Sequence, residues 1–209
     1  MIAAGLPVWI LLAILFIGAS ETLQLVNQMV LIPLKYRRSL SKMGPVSLAK
    51  ALVAKDRLSF FIVYVLEYSV LISLVAARVL QIRLGFFALP LWGVYLSIAV
   101  IVCGEALRLW STYTLGKFFT YVVLTPKDHR LIAKGPYGFV RHPAYLGGFM
   151  IIAGFGLLAQ SLVIFTVSIF LICLAYAYRI HVEEQALREK FGKRYESYSE
   201  RTGMLLPRI

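Results

Sequence analysis

The chain has 209 residues, of which 60% are hydrophobic and 15% are charged, and its mean hydropathy is +0.78. A water-soluble domain of this length cannot bury so much apolar side chain, because most of its surface must contact water. The composition therefore excludes an ordinary soluble domain and indicates solvation by a lipid bilayer. The formal net charge is +12, which is typical either of nucleic-acid binding or of cytosolic loops in membrane proteins.

The cysteine content and the length limit the organisation further. Cys103 and Cys173 both lie in apolar runs without neighbouring metal-ligand residues, so we predict neither a disulfide framework nor a metal site. The length indicates one membrane domain, residues 1–209, with an N-terminal three-helix part (1–110) and a second part (111–209) that carries the chemistry.

The N-terminal quarter predicts one membrane helix followed by a basic surface segment. Residues 2–19 are apolar with no preceding Lys or Arg, unlike a secretory signal peptide, so we expect a retained helix. Helical apolar spacing continues to residue 34. In the basic segment 35–57, residues 47–55 fit an amphipathic helix on the membrane surface.

Four further apolar runs predict four more membrane helices. Residues 59–80 number about 22, enough at about 1.5 Å each to cross roughly 30 Å of hydrocarbon. A second run covers residues 86–110, and a polar loop, residues 111–142, follows it. Almost nothing polar separates residues 143–160 from residues 161–180, which favours a helical hairpin. We therefore predict an all-α, polytopic integral membrane protein with five transmembrane helices.

The C-terminal segment predicts a further, amphipathic helix. Apolar and aromatic residues recur at spacings of three and four from Glu183 to Tyr198. We expect this helix to continue the fifth membrane helix into the cytosol and to stop near Gly203 and Pro207.

The positions of the basic residues predict the orientation. Residues 35–57, 111–142 and 179–209 hold seven, five and seven of the 22 basic residues, and all three fall on one side if the N-terminus is outside. Cytosolic loops are the ones enriched in Lys and Arg. This arrangement accounts for the basic excess without nucleic acid. We expect an integral protein of a bacterial inner membrane or an endoplasmic-reticulum-type membrane.

Three cytosolic segments are unusual for plain loops. Residues 134–143 combine two glycines, two prolines, an Arg and a His, and can expose backbone N–H groups to a polar ligand. Residues 179–184 place two carboxylates beside Arg and His, which suits a cationic ligand. Residues 191–201 bring Tyr and Arg onto one helix face. The alternative interpretations of the three segments are, in the same order, an ordered turn, a solvated helix start and a helix lying on lipid headgroups.

Together the three segments resemble the isoprenylcysteine carboxyl methyltransferase family and its bacterial relatives. The resemblance lies in Gly-Pro-Tyr-x-x-Val-Arg-His-Pro-x-Tyr-x-Gly, then a helical hairpin, then Arg-x-x-x-Glu-Glu-x-x-Leu-x-x-x-Phe-Gly-x-x-Tyr-x-x-Tyr. It covers roughly residues 131–207. The residues that carry it are Gly135, Pro136, Tyr137, Val140, Arg141, His142, Pro143, Tyr145, Gly147, Arg179, Glu183, Glu184, Leu187, Phe191, Gly192, Tyr195 and Tyr198.

The resemblance implies a membrane methyltransferase that uses S-adenosylmethionine and releases S-adenosylhomocysteine. No G-x-G-x-x-G motif follows a strand-like run in this sequence, so a Rossmann-type nucleotide site is not predicted. Aromatic faces and carboxylates would stabilise a desolvated sulfonium cation. The residues that the resemblance assigns to the cofactor are Gly135, Tyr137, Val140, Arg141, His142, Pro143, Tyr145, His181, Glu183 and Glu184.

The predicted catalytic residues follow from the same resemblance. An ionised carboxylate acceptor needs no general base, so positioning should dominate the chemistry. Arg201 takes the place of the family's functional Arg and would hold the acceptor carboxylate, and Arg194 is the fallback. Glu184 is the third catalytic candidate, because the Glu183–Glu184 pair could serve as a base for an amine acceptor.

Ionisable residues at membrane depth are candidates for a substrate path or for structural pairing. Glu67 has no partner close in sequence. Glu105 and Arg108 stand three apart, and we expect them to pair. His129 lies in the polar loop and is expected to be solvated.

The acceptor is predicted to be lipophilic and to enter from the bilayer, and no obligate protein partner is inferred. A prenylated cysteine carboxylate is favoured. The alternatives are a phosphatidylethanolamine-type N-methyltransferase, an NADPH-dependent reductase of the sterol-reductase type, and a non-catalytic membrane scaffold or carrier.

Overall fold

The computed structural model describes residues 85–116 and 130–208, together with six positions between residues 65 and 73 (65, 66, 68, 69, 72 and 73). All of these belong to one compact unit, residues 54–209. The predicted helix at residues 2–34, the basic segment 35–57, most of the helix at 59–80 with Glu67, and His129 lie outside the described residues.

The two continuous described stretches are helical. Helix α1 is Leu91–Leu115, a short 3-10 turn is Gly135–Gly138, α2 is Pro143–Leu158, α3 is Leu162–Phe191, and α4 is Lys193–Arg201. Within the part of the chain that the structure describes, β-structure is limited to two isolated bridges. The all-α prediction is confirmed for these residues.

Helix α1 is shifted toward the C-terminus relative to the predicted run at residues 86–110. It begins after Pro90, whose extended backbone precedes the first turn, and ends at Gly116 with a φ of 51°. The last turns were predicted as loop because they are polar. The hydroxyls of Ser111, Thr112 and Thr114 each donate to the carbonyl oxygen four residues earlier in the same helix. These polar residues are therefore compatible with a helix.

The ends of α1 suit a membrane span. Trp92 and Trp110 are both exposed and stand eighteen residues apart, which is about 27 Å along a helix. Aromatic side chains favour the two membrane–water interfaces, and this distance is close to the thickness of a hydrocarbon core. By length and composition, α1 and α3 are the two described helices that could cross a membrane.

Close backbone approach joins α1 to α2. A Cβ atom at Gly104 would lie 2.6 Å from the carbonyl oxygen of Gly147, and one at Gly147 would lie 2.5 Å from the carbonyl oxygen of Gly104. Two turns further along α2, a Cβ atom at Gly154 would lie 2.5 Å from Cγ1 of Ile101. Small residues at such contacts let helix backbones pack together in a bilayer.

A tight connection joins α2 to α3. Helix α2 ends at Leu158, and Gln160 takes a left-handed φ of 52°. Ser161 then caps α3, because its hydroxyl accepts a hydrogen bond from the backbone N–H of Ile164 at 3.3 Å. The turn of the predicted hairpin is therefore observed. With 16 residues, α2 is only about 24 Å long, and five membrane crossings stay a prediction.

The predicted C-terminal helix is divided in two. Helix α3 runs from Leu162 to Phe191 without a break at the expected membrane exit. The chain then turns at Gly192, whose φ of 50° ends α3 before α4 begins. A left-handed φ is readily adopted by glycine and terminates helices. One continuous helix through Tyr198 was expected, and the turn at Gly192 is the difference.

Candidate active site

The Glu184 carboxylate, near the end of α3, is the centre of a buried polar cluster. Its Oε1 atom accepts hydrogen bonds from Arg141 Nε at 2.7 Å and Tyr195 Oη at 3.0 Å, and His142 Nε2 lies 3.1 Å away. Its Oε2 atom accepts from Arg188 Nη2 at 3.3 Å. The side chains of Glu184 and Arg141 are only 8% and 10% exposed. Three donors and an imidazole nitrogen therefore surround this carboxylate, mostly at Oε1.

The Arg141 guanidinium also holds the C-terminal segment. Its Nη1 atom donates to the carbonyl oxygens of Ser199 and Thr202, at the end of α4. The backbone N–H of Arg141 donates to Gly203 O at 2.8 Å, and that of His142 donates to Met204 O at 3.1 Å. The stretch leading into α2, the end of α3 and the C-terminal tail therefore meet at one place, as predicted.

The Glu183 carboxylate occupies a different environment from that of Glu184. It accepts a hydrogen bond from Tyr145 Oη at 2.9 Å, and His142 Nδ1 lies 4.0 Å away. Arg179 Nε donates to the same Tyr145 hydroxyl at 3.1 Å. The Glu183 side chain is 31% exposed. Within the described part of the chain, this carboxylate keeps acceptor capacity that Glu184 has used.

Aromatic rings surround these carboxylates. The Tyr145 ring lies 5.1 Å from the Tyr176 ring and 5.7 Å from the His142 ring, measured between centroids. The Tyr195 and Tyr198 rings are 5.9 Å apart. Such π faces attract cations, most strongly where water is excluded.

Burial keeps the phenols around the cluster protonated. Desolvation raises the pKa of Tyr195 well above its usual range, and the adjacent Glu184 carboxylate raises it further. Desolvation likewise raises the pKa of Tyr198 to about 12, and its hydroxyl donates to the carbonyl oxygen of Tyr137 at 2.7 Å. Both phenols therefore act as hydrogen-bond donors at neutral pH.

The structure brings together most, but not all, of the predicted site residues. Tyr137, Val140, His142 and Pro143 are buried, and Gly135, with a φ of 58°, begins the 3-10 turn against Thr114 of α1. The remaining predicted members at the cluster are Arg141, Tyr145, Glu183 and Glu184.

Three predicted residues lie outside this cluster. His181, Arg194 and Arg201 are exposed. Among the residues that the structure describes, no hydrogen bond or ion pair links any of them to Glu183 or Glu184. Their assignments stay predictions. Glu105 and Arg108 are both buried on α1, and their pairing also stays a prediction.

Several members of the cluster were not among the predicted site residues. Tyr195 is fully buried, and Arg179 is 4% exposed. Arg179 stands four residues before Glu183, and Arg188 stands four residues after Glu184, so helical spacing was the signal that could have found them. Thr202 and Ser199 contribute backbone carbonyls, which no side-chain pattern reveals.

The fold and this cluster together define an all-helical, membrane-type protein with a buried arginine–glutamate centre at one end of its apolar helices. Residues 97–189 match the model of the isoprenylcysteine carboxyl methyltransferase (ICMT) family. The family resemblance predicted from the sequence is therefore confirmed, and the matched region contains Arg141, Glu183 and Glu184.

Relatives of known name agree with this match. The protein-S-isoprenylcysteine O-methyltransferase of Saccharomyces cerevisiae is 34% identical over 116 residues, which cover 54% of this chain and 48% of that protein. A probable protein-S-isoprenylcysteine O-methyltransferase of Oryza sativa subsp. indica is 32% identical over 120 residues, 55% of this chain and 61% of that protein. The chain thus spans about half to three-fifths of the length of these relatives.

A solved structure shares the fold. It is the eukaryotic intramembrane Ras methyltransferase ICMT, with a TM-score of 0.55 and 24% sequence identity. The match covers 77% of this chain and 56% of that protein.

Proposed function

We propose that this protein is an S-adenosylmethionine-dependent methyltransferase acting on a lipophilic acceptor, with a prenylated cysteine carboxylate as the favoured class. The observation that carries the proposal is the partly exposed Glu183 carboxylate, which lies between Tyr145 and His142 beside the buried Arg141–Glu184 pair. The family match supports the reaction type.

The residues around Glu183 fit a cationic methyl donor. When bound, S-adenosylmethionine supplies a methyl group on a positively charged sulfur. The Glu183 carboxylate and the rings of Tyr145, Tyr176 and His142 would stabilise positive charge in this setting. The protonated Tyr145 hydroxyl fixes the Glu183 carboxylate, and Arg179 in turn fixes that hydroxyl.

The two glutamates would have separate roles. Glu184 already accepts from Arg141, Tyr195 and Arg188 and its side chain is only 8% exposed, so a ligand would have little access to it. We assign Glu184 to holding the site together and Glu183 to contacting the donor's amino or ribose groups. His142, which lies beside both carboxylates, would fix their positions relative to each other.

The acceptor needs orientation more than proton transfer. A carboxylate is ionised at neutral pH, and in-line approach of its oxygen to the methyl group is the main requirement. We assign Arg201, exposed at the end of α4, to the acceptor carboxylate, with Arg194 as the fallback. The tail held by Arg141 would bring Arg201 to the reaction centre.

The site would lie at the cytosolic membrane boundary, with the N-terminus outside and the acceptor's lipid tail in the bilayer. The distribution of basic residues supports this orientation. The exposed apolar faces of α1 and α3 support lipid contact, through Leu91, Leu96, Val102, Leu109, Val163, Val167, Phe170 and Leu174.

Two measurements test the proposal. In detergent, S-adenosylhomocysteine should raise the melting temperature of the protein, and NADPH should not, since a reductase of the sterol type would show the reverse. Radiolabelled S-adenosylmethionine offered with a farnesylated cysteine, a phosphatidylethanolamine and a phenolic lipid should then label the first. Labelling of the phospholipid alone would instead identify an N-methyltransferase.

A further inference from the structure

A cleft lies beside the Glu184 cluster, at the C-terminal tail. Its volume is about 460 Å³, and its walls include Arg141, Arg188, Ser199, Met204 and Arg208. This volume lies within the range of roughly 300–1,000 Å³ typical of small-ligand sites. Of the residues predicted to bind the methyl donor, only Arg141 lines it. The walls of this cleft therefore differ from the set of residues assigned to the methyl donor.

Two arginines at this cleft keep most of their donors available. The Arg188 side chain is 59% exposed, and in the described part of the chain its one hydrogen bond is the 3.3 Å contact with Glu184. Arg208 uses only Nη1, which donates to the carbonyl oxygens of Ser199 and Glu200. Because a guanidinium carries five N–H groups, both residues can bind an anion without breaking these contacts.

The charges around the cleft favour an anion. Arg141, Arg188 and Arg208 are opposed by Glu200 in the lining and by Glu184, which pairs with Arg141 and Arg188. One net positive charge remains. Guanidinium groups match the oxygens of phosphate in a bidentate geometry, and two of them can share one phosphate group.

Apolar side chains adjoin the arginines. Met204 lines the cleft and is 45% exposed, and Leu206, two residues further along the tail, is 73% exposed. Phe139 is 64% exposed and directly precedes Val140, which forms a bridge with Gly203 of the tail. A ligand with an anionic group and an apolar portion could contact both the arginines and these apolar side chains.

We propose that this cleft binds a phosphate-bearing anion, supplied either by the headgroup of an anionic phospholipid or by free phosphate. The Arg188 and Arg208 guanidiniums hold the phosphate oxygens. The site is separate from the proposed methyl-donor pocket and does not depend on methyl transfer.

The test uses the full chain in neutral detergent and measures its melting temperature against ligand concentration. The probes are dioleoylphosphatidylglycerol, dioleoylphosphatidylcholine and inorganic phosphate. The variants are Arg188→Gln and the pair Arg188→Gln with Arg208→Gln. The control is Lys193→Gln, which removes one exposed charge from α4 outside the cleft lining.

We expect phosphatidylglycerol to raise the melting temperature saturably, either alone or together with inorganic phosphate. Phosphatidylcholine should have no such effect. Phosphatidylglycerol alone would assign the lipid headgroup, and phosphate in addition would assign the free anion. The double variant should weaken apparent affinity at least tenfold, Arg188→Gln about threefold or more, and Lys193→Gln less than twofold. Arg188→Gln also covers the case in which loss of Arg208 unfolds the tail.

Three results would overturn the proposal. These are no saturable binding of either anion, unchanged affinity in the double variant, and an equal loss of affinity in Lys193→Gln. S-adenosylhomocysteine provides a separate check, since its affinity should change less than threefold in the single variant Arg208→Gln, which alters a cleft residue outside the Glu184 cluster. A parallel loss there would make the cleft part of the donor pocket. If S-adenosylhomocysteine does not bind the wild-type protein, the proposed methyl transfer is contradicted, whereas the measurement of anion binding remains valid.

Discussion

Replacing Arg141 by Met should destabilise the polar cluster around Glu184. The substitution keeps much of the side-chain volume but removes the donor 2.7 Å from Glu184 and the two bonds to the carbonyls of Ser199 and Thr202. Removing one partner of a buried ion pair costs about 3–5 kcal/mol. Because His142 and other donors still contact Glu184, we expect the lower end, about 3 kcal/mol.

The assay is a double-mutant cycle of Arg141→Met and Glu184→Gln, with unfolding measured by SDS titration in mixed micelles. Removing both charges leaves no uncompensated buried ion, so the double variant should be less destabilised than the two single losses added together. We expect a coupling of about 1–3 kcal/mol. Arg194→Met, an exposed substitution on α4, should cost less than about 0.5 kcal/mol.

Additive effects of the two substitutions would refute this reasoning, because the ion pair would then contribute nothing beyond its separate members. A second readout follows the tail itself. Arg141→Met should expose the α4 segment to proteases at concentrations where Arg194→Met leaves it intact. Equal cleavage of the two variants would show that Arg141 does not hold the tail.

Three further results are expected. Gly147→Ala should destabilise the protein by about 1–3 kcal/mol, because the new Cβ meets the Gly104 carbonyl, whereas Gly138→Ala, whose Cβ would make only an ordinary 3.5 Å contact with the Ala133 carbonyl oxygen, should cost less than about 0.5 kcal/mol in the same titration. Arg201→Ala should lower turnover at least tenfold and leave S-adenosylhomocysteine affinity within twofold, and an equal loss of both would move Arg201 to the donor pocket. Glu183→Gln should weaken S-adenosylhomocysteine binding about tenfold in calorimetry with little change in unfolding, and unchanged affinity would contradict its assigned contact.

The predicted residues that the structure brings together are those for which the sequence carried a local signal. The Arg-His-Pro segment and the adjacent glutamates are short runs whose residue types already indicate polar chemistry, and the structure places Arg141 and Glu184 in contact. The predicted contact between the loop before α2 and the C-terminal tail also holds, through Val140 and Gly203. These contacts follow from the order of helices, because a hairpin returns the chain to the side from which it left.

Helix boundaries were harder to predict because polarity is an ambiguous signal. The end of α1 was predicted as loop at residues 111–115, but hydroxyls such as those of Ser111 and Thr114 bond to their own helix. Gly192 was expected inside a helix and instead ends one. A glycine tolerates both conformations, and only the burial of Tyr195 against Glu184 decides in favour of the turn.

The sequence by itself predicted apolar helices, because a soluble domain of this length cannot bury 60% hydrophobic residues, and the described residues form such helices. It also determined the residue types that meet at the site. Tertiary structure alone decided that Glu184 is enclosed by Arg141 and Tyr195 while Glu183 remains partly exposed. Neighbouring residues on one helix point about 100° apart, so two adjacent glutamates enter different surroundings. Arg141 and Tyr195 stand 43 and 11 residues from Glu184 in the chain, and no local pattern shows that they meet it.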